Sequence, residues 1–391
     1  MFVALTQNQQ RLSLVIPDPS VNPSPPYYCP VCRQEVMMKQ GTKRRWHFAH
    51  LQSNLCTDTS EPETEEHLTG KAELYKWLLS KGVVPMIERF LPSIQRRADL
   101  FFTYQGQDYA IEFQCASIST EETITRTQDY LSENIIPLWI YSSNRIRSSA
   151  PSRFSIHAFE WSGLRERYTD GHRAITYFSP STSTFFFLFP RAVFTSTITF
   201  ADLYALQTAD TSMSMLLQLP ATKAGRIIWQ NQWLHKKKQW RYERNDWRSQ
   251  TDRYYTRHLF ASYQSDIPFF PGEAGWPVRG MEYFETPPHL WQSALLLDVL
   301  ATLPLYHSFS FQTVVEVFSF VITSHLKTRS LPFITTPLET ITAGYFNALQ
   351  KMGSIRQTKT GWMRIKPIHL PRSLDEGFHM DKKWHQSIFY S

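Results

Sequence analysis

The sequence predicts an α/β protein in three parts: a small N-terminal module, a central α/β domain and a mainly helical C-terminal region. Three observations carry this. Residues 96–117 read as two apolar strands around Gln105-Gly106, a hairpin whose glycine supplies the backbone freedom a tight turn needs. Stretches of helical and strand periodicity flank it, in the order helix, three strands, helix, strand. From about Ala201 onward helical spacing dominates.

At 391 residues the chain exceeds what one core usually holds, and its parts are read as 1–58, 60–200 and 201–391. Lys and Arg outnumber Asp and Glu by 41 to 34, with a pI near 9.1, which suits a polyanionic partner. Four cysteines, two of them in one Cys-x-x-Cys, argue for a metal or free thiols in a reducing compartment and against a disulfide framework. Pro190 and Arg191 break the apolar run at 185–194, and Asp298 breaks the one at 294–305, so no membrane span is expected. The first residues carry no basic start followed by an apolar block, and a soluble, cytoplasmic protein is the expectation.

In order, Phe2 to Leu5 and Leu12 to Ile16 alternate as a small hairpin, and Pro17, Pro19, Pro23, Pro25 and Pro26 make a stiff linker. Cys29-x2-Cys32 follows, then fourteen residues, then His47-x2-His50. Zn²⁺ takes thiolate and imidazole tetrahedrally, and such a site can replace a core in a short loop. The two-residue His spacing is shorter than in the common finger. It leaves the second His open, with Cys56 as a competitor, or no metal at all and a basic hairpin at Lys43-Arg44-Arg45-Trp46.

Ser60 to Gly82 reads as a helix from Leu68, Ala72, Tyr75 and Leu79, with an acidic first turn and a glycine to end it. His67 and Lys71 share one face of it and Glu66 lies one step round; the alternative is a solvated flank. Val83 to Leu91 supplies a strand, and the hairpin follows, interrupted by Asp99, Glu112 and Gln114. A two-residue turn sets Asp99 opposite Glu112, and a loop over 105–108 sets it opposite Gln114; either register gathers all three on one side. Carboxylates among aliphatic and aromatic residues are costly without a partner, which favours a metal-binding role over a solvent-facing one. Ser119 to Glu133 reads as a helix with Ser119 as N-cap, and Ile135 to Tyr141 as a buried strand. Arg126 and Tyr130 face one way from that helix, toward a phosphate or the site, or Arg126 pairs with Glu122.

Residues 153–200 hold further β-rich runs that extend or flank the sheet. Within 227–259, Trp233, Trp240, Trp247 and Tyr254 recur at sevens, beside a second stripe of Lys237, Arg241, Arg244 and Arg248. Cations beside rings suit a nucleic-acid groove, whereas an aromatic stripe at this spacing equally suits a core with a solvated flank. A helix over 338–352 starts at Thr336-Pro337 and ends at Gly353, and the tail after Arg364 shows no pattern.

Asp99 followed by Glu112-x-Gln114 resembles the core of the PD-(D/E)xK nucleases, and the fuller pattern resembles the competence protein CoiA-like family. The matching pieces are Cys29-Pro-Val-Cys32, His47-Phe-Ala-His50, Glu66-His67 with Gly70-Lys71, Arg97-Ala-Asp99, Glu112-Phe-Gln114 and Arg126-Thr-x-x-Tyr130. Their order over residues 25–145 is the signal, since each is weak alone. The resemblance implies a restriction-endonuclease-like core that processes DNA, single-stranded forms included, during natural competence or recombination, among recombination proteins. It implies that Asp99 and Glu112 hold Mg²⁺ or Mn²⁺, that Glu66, His67 and Lys71 complete the site, and that Arg97, Arg126 and Tyr130 meet nucleic acid. It raises the reading of the Cys and His pairs as a structural Zn²⁺ site. Gln114 stands where the triad usually has Lys, so Lys71 is the residue expected to lend the charge. The runner-up is a fold of this kind that binds DNA, or serves recombination as an adaptor, without the reaction.

Overall fold

A computed structural model describes residues 1–15, 24–41, 45–51, 64–221, 229–242, 250–335 and 338–389. At the N-terminus β1 (Val3–Leu5) pairs antiparallel with β2 (Arg11–Ser13), and β3 (Tyr27–Tyr28), β4 (Glu35–Lys39) and β5 (His47–His50) complete a sheet of order β2-β1-β3-β4-β5. Met1, Ala4, Leu12, Tyr27, Cys29, Val36 and Phe48 make its small core. Of the proline linker, Pro17, Pro19 and Pro23 lie outside the described residues.

Next come α1 (Glu65–Ser80), β6 (Met86–Leu91), β7 (Arg96–Tyr104), β8 (Gln107–Gln114), α2 (Thr120–Ser132) and β9 (Ile135–Ser142). Thr64 caps α1 by accepting from the His67 amide, and Ser119 caps α2 by accepting from that of Glu122, each ahead of acidic residues that suit the helix dipole. Tyr104 pairs with Gln107, so the turn is the two residues Gln105 and Gly106, with φ of 51° and 79°. That handedness at both positions matches the twist of the flanking strands. β8 and β9 are parallel neighbours, a pairing that needs a crossover connection, here through α2. Beyond β9 the sheet continues with Arg173–Ser179, parallel to it, and Thr184–Val193, antiparallel to that. The result is a large mixed sheet.

The chain forms two compact units, residues 1–146, 162–188 and 203–221 in one and 147–161, 189–202 and 222–391 in the other. In the second, the strand Arg153–Ser155 pairs with the start of Ile198–Gln207, and the remainder is mainly helical: Trp229–Tyr242, Gln250–Ser262, Phe311–His325, Leu338–Lys351 and Leu374–Phe389 are its longest helices. Trp233, Trp240, Trp276 and Trp291 are buried there. No described helix is long and apolar enough to cross a membrane.

One expectation is corrected here. Lys237 and Arg241, read as half of a cationic stripe facing a phosphate backbone, are buried, with 0% and 1% of their surface exposed. Both pair with Asp381, Arg241 through two bonds of 2.7 and 2.8 Å and Lys237 at 2.9 Å. They donate as well to the carbonyls of Pro268, Phe270 and Gly272. Burial without a counter-charge would be prohibitive, and the patternless tail supplies one. Arg244, Arg248 and Trp247 lie outside the described residues.

Candidate functional site

The β7–β8 register places Asp99 across from Glu112, next to the last ladder pair, Leu100 with Ile111. Asp99 is reached from α1, whose His67 and Lys71 stand one turn apart. His67 Nε2 lies 3.1 Å from Asp99 Oδ2 and Lys71 Nζ 3.7 Å from Oδ1. The Phe113 amide also donates to Oδ2, at 2.9 Å. Burial pushes the Asp99 carboxyl up, but the charges of His67 and Lys71 and these hydrogen bonds outweigh it and hold the group below the ordinary carboxylate range. The close approach of α1 depends on Gly70, because any side chain there would collide with the Phe113 ring.

Glu112 takes its partners from α2. Arg126 and the Tyr130 hydroxyl both donate to its carboxylate, and Arg126 also lies over the Trp139 ring. Its side chain is 3% exposed against 15% for Asp99. Here burial prevails over Arg126, and the nearby charge of Asp99 adds to it, so the Glu112 carboxyl is raised. Tyr130 has no exposed surface, and its hydroxyl is committed to Glu112. The expectation that it touches nucleic acid is therefore corrected to holding Glu112 in place. Arg126 pairs with Glu112 while Arg96 takes Glu122, resolving the alternative left by the helix spacing.

The remaining sequence-derived residues sit around this pair. Glu66 accepts from Ser142 and, at 2.8 Å, from Asn144. Gln114 donates to the Ala116 carbonyl at 2.9 Å, and Arg97 to the Met1 sulfur at 3.5 Å. One residue was missed altogether: Glu88 of β6, which binds Lys71 Nζ at 2.7 Å. A lone acid in a strand gives no pattern that would single it out.

The donor set suits a hard divalent cation. Mg²⁺ is commonly held by one or two carboxylates, with water and substrate phosphate filling the other positions. Three carboxylates, Asp99, Glu112 and Glu88, stand here with the cations Lys71 and Arg126 and the His67 imidazole. Among the described residues, three clustered metal-ligating groups occur elsewhere, at Cys29, Cys32 and His50, whose ligand atoms lie within 4.8 Å of one another. Cys32 Sγ is 3.3 Å from His50 Nε2, and the Val31 amide donates to Cys29 Sγ at 3.4 Å. Two thiols and an imidazole fit zinc. His47 is outside the cluster, its Nδ1 on the Arg45 carbonyl at 2.8 Å, so the histidine left in doubt by the spacing is the first and not the second. Cys56 lies outside the described residues.

Three family descriptions match in order: "Competence protein CoiA, N-terminal domain" over residues 20–58, "Competence protein CoiA, nuclease-like domain" over 63–221, and "Competence protein CoiA, C-terminal domain" over 228–377. The chain belongs to the CoiA-like family. Competence protein CoiA of Bacillus subtilis (strain 168) is 27% identical over 271 residues, 69% of this chain and 71% of that protein. No solved structure matches. In CoiA terms, Asp99, Glu112 and all their partners fall in the nuclease-like domain, and the Cys29–Cys32–His50 cluster falls in the N-terminal domain.

Proposed function

We propose that this chain is a divalent-metal-dependent DNA nuclease of the CoiA type, with a restriction-endonuclease-like PD-(D/E)xK core, acting in the cytoplasm on DNA handled during competence or recombination. The observation that supports it best is the acidic pair itself: two carboxylates set opposite each other by a two-residue turn, in apolar surroundings, with oriented partners on both helices. Asp99 and Glu112 would hold Mg²⁺ or Mn²⁺, which when bound neutralises charge on a phosphodiester and provides an activated water. His67 and the Phe113 amide fix the Asp99 carboxylate. Arg126 and Tyr130 do the same for Glu112, in a form that costs no reorganisation during reaction. Lys71 contributes the positive charge that Gln114 cannot. The Gln114 amide, set by its bond to Ala116, keeps an acceptor oxygen able to orient a water.

The test is cleavage of single-stranded, duplex and branched DNA with Mg²⁺ or Mn²⁺, compared with Asp99→Ala and Glu112→Ala. Wild type that leaves every substrate intact, or variants that cut as well as wild type, removes the enzyme. A second reading, a DNA-binding or recombination adaptor without the reaction, is favoured by the glutamine at the lysine position and by the cation already paired with each carboxylate. It requires salt-dependent DNA binding that Glu112→Ala leaves intact, with no cleavage.

We also infer that Cys29, Cys32 and His50 hold a structural Zn²⁺. The turn that carries both thiols, closed by Cys29 N–H donating to the Gln34 carbonyl at 2.8 Å, supports this. Zinc that does not copurify, or that survives Cys29→Ser, refutes it.

A further inference from the structure

Glu88 has no part in the mechanism above, yet it is a buried carboxylate with partners on two other elements. Its side chain is 1% exposed, and it faces Lys71, whose side chain is 0% exposed. The carboxylate accepts from the Phe2 amide at 2.8 Å and the Val3 amide at 3.0 Å, both in or beside β1, and from Lys71 Nζ at 2.7 Å. Its φ is +50°, a conformation that a non-glycine residue adopts at a cost, and one that marks sites where geometry is being imposed. The β6–β7 ladder pairs Ile87 with Leu100 and Arg89 with Ala98, so Glu88 and Asp99 occupy the gap between them. Lys71 bridges the two carboxylates from above, closer to Glu88 by 1.0 Å, the difference between 2.7 and 3.7 Å.

We propose that Glu88 is a positioning residue, which holds the Lys71 ammonium beside Asp99 without letting it cap that carboxylate, and so keeps Asp99 open to a divalent cation. The inference rests on the metal-binding reading of Asp99 and Glu112. Its physical content is a competition. The ammonium lies 2.7 Å from Glu88 and 3.7 Å from Asp99, and Glu88, 1% exposed against 15% for Asp99, is the more dehydrated partner, held in place by the amides of Phe2 and Val3. Removal of the Glu88 charge leaves Asp99 to draw Lys71 in, and the ammonium then takes the place of the metal. The N-terminal sheet thereby becomes part of the site, through two main-chain N–H groups.

The experiment is Mn²⁺ titration of the full chain followed by electron paramagnetic resonance, with the site identified by loss of the signal in Asp99→Ala. Glu88→Gln keeps the shape and an acceptor oxygen for the Phe2 and Val3 amides. It should weaken Mn²⁺ about tenfold or more, the equivalent of one new charge-assisted hydrogen bond to Asp99. Adding Lys71→Met to Glu88→Gln removes the competing ammonium and should return the affinity to near wild type. Unchanged affinity in Glu88→Gln overturns the proposal. So does a double variant that stays weak, because a merely structural Glu88 would not be rescued by deleting its partner; thermal melts of both variants record any loss of fold. A wild type that binds no Mn²⁺ at Asp99 removes the metal reading and this proposal together, a result distinct from either variant outcome.

Discussion

The contact on which the acidic site turns is the one between Gly70 of α1 and Phe113 of β8, and Gly70→Ala tests it. A methyl group at Gly70 would stand 2.0, 2.4 and 2.7 Å from three carbons of the Phe113 ring. Relief to an ordinary carbon–carbon contact of about 3.5 Å means a displacement of roughly 1.5 Å. The ring has little room to take it up. Phe113 is 1% exposed and sits between Phe178 and His67, each 6.1 Å away between centroids. The helix must therefore give, and it carries His67 and Lys71 with it, away from Asp99. Alanine favours the helix by about 1 kcal/mol over glycine, while overpacking a filled site costs about 1–3 kcal/mol. The net is a loss of up to about 2 kcal/mol by urea unfolding. A shift of about 1 Å in residues that orient Asp99 should reduce DNA cleavage roughly 100-fold under the function proposed. Trimming the ring as well, in Gly70→Ala with Phe113→Leu, should recover part of both losses, since the two residues share one contact. A single variant that is about 1 kcal/mol more stable than wild type, the helix term alone, with unaltered cleavage, would refute the reasoning.

Three further outcomes follow from buried charge and thiol chemistry. Asp381→Asn strands Lys237 and Arg241 in the interior and should cost about 3–5 kcal/mol in urea unfolding; a loss under about 1 kcal/mol would mean that the pair tolerates the interior unaided. Asp99 has a folded pKa below its unfolded value near 3.8, so its contribution to stability is complete above that pH and is lost as pH falls through the folded value. Asp99→Asn should accordingly flatten the decline of stability below pH 4, and an unchanged slope in acid unfolding would contradict the ion pairs assigned to Asp99. Copurified zinc, measured by mass spectrometry, should be lost in Cys29→Ser and His50→Ala and kept in His47→Ala, and loss in the last would return His47 to the ligand set.

Much of the nuclease-like region could be read from the sequence because its signals are local. Gln105-Gly106 marked the turn and left two registers open, both with the polar residues on one side; the pairing of Tyr104 with Gln107 selects the one that sets Asp99 against Glu112. The helix cap at Ser119 was equally local, whereas the first helix, read from Ser60, is capped at Thr64. Partners that lie far apart in the chain were not legible. Glu88 is held by amides more than eighty residues upstream, and Arg241 and Lys237 by Asp381 about 140 residues downstream, in a tail without visible periodicity. Helical spacing says that Lys237 and Arg241 share a face with each other, but not whether an anion waits inside. The misassignment between His47 and His50 had a readable cause. Residues three apart in a strand point to opposite faces, so only one of the two could meet the cysteine pair.

The glutamine at position 114 takes on a different meaning once the charges are counted in space and not along the chain. A lysine there would project its ammonium from β8, next to a Glu112 that already carries Arg126. In this chain the ammonium comes from α1 instead, through Lys71, and is balanced by Glu88 on the neighbouring strand. Under the PD-(D/E)xK reading proposed above, a cation on the helix in place of the strand is invisible to a pattern that looks for it two residues after the glutamate. It also changes what controls the charge. A strand lysine would be set by the hairpin alone, whereas Lys71 is set by the packing of Gly70 on Phe113 and by the grip of Glu88. Both determinants lie outside the Asp-and-Glu-x-Gln signature, so sequences that share the signature can still differ in whether a positive charge stands beside Asp99.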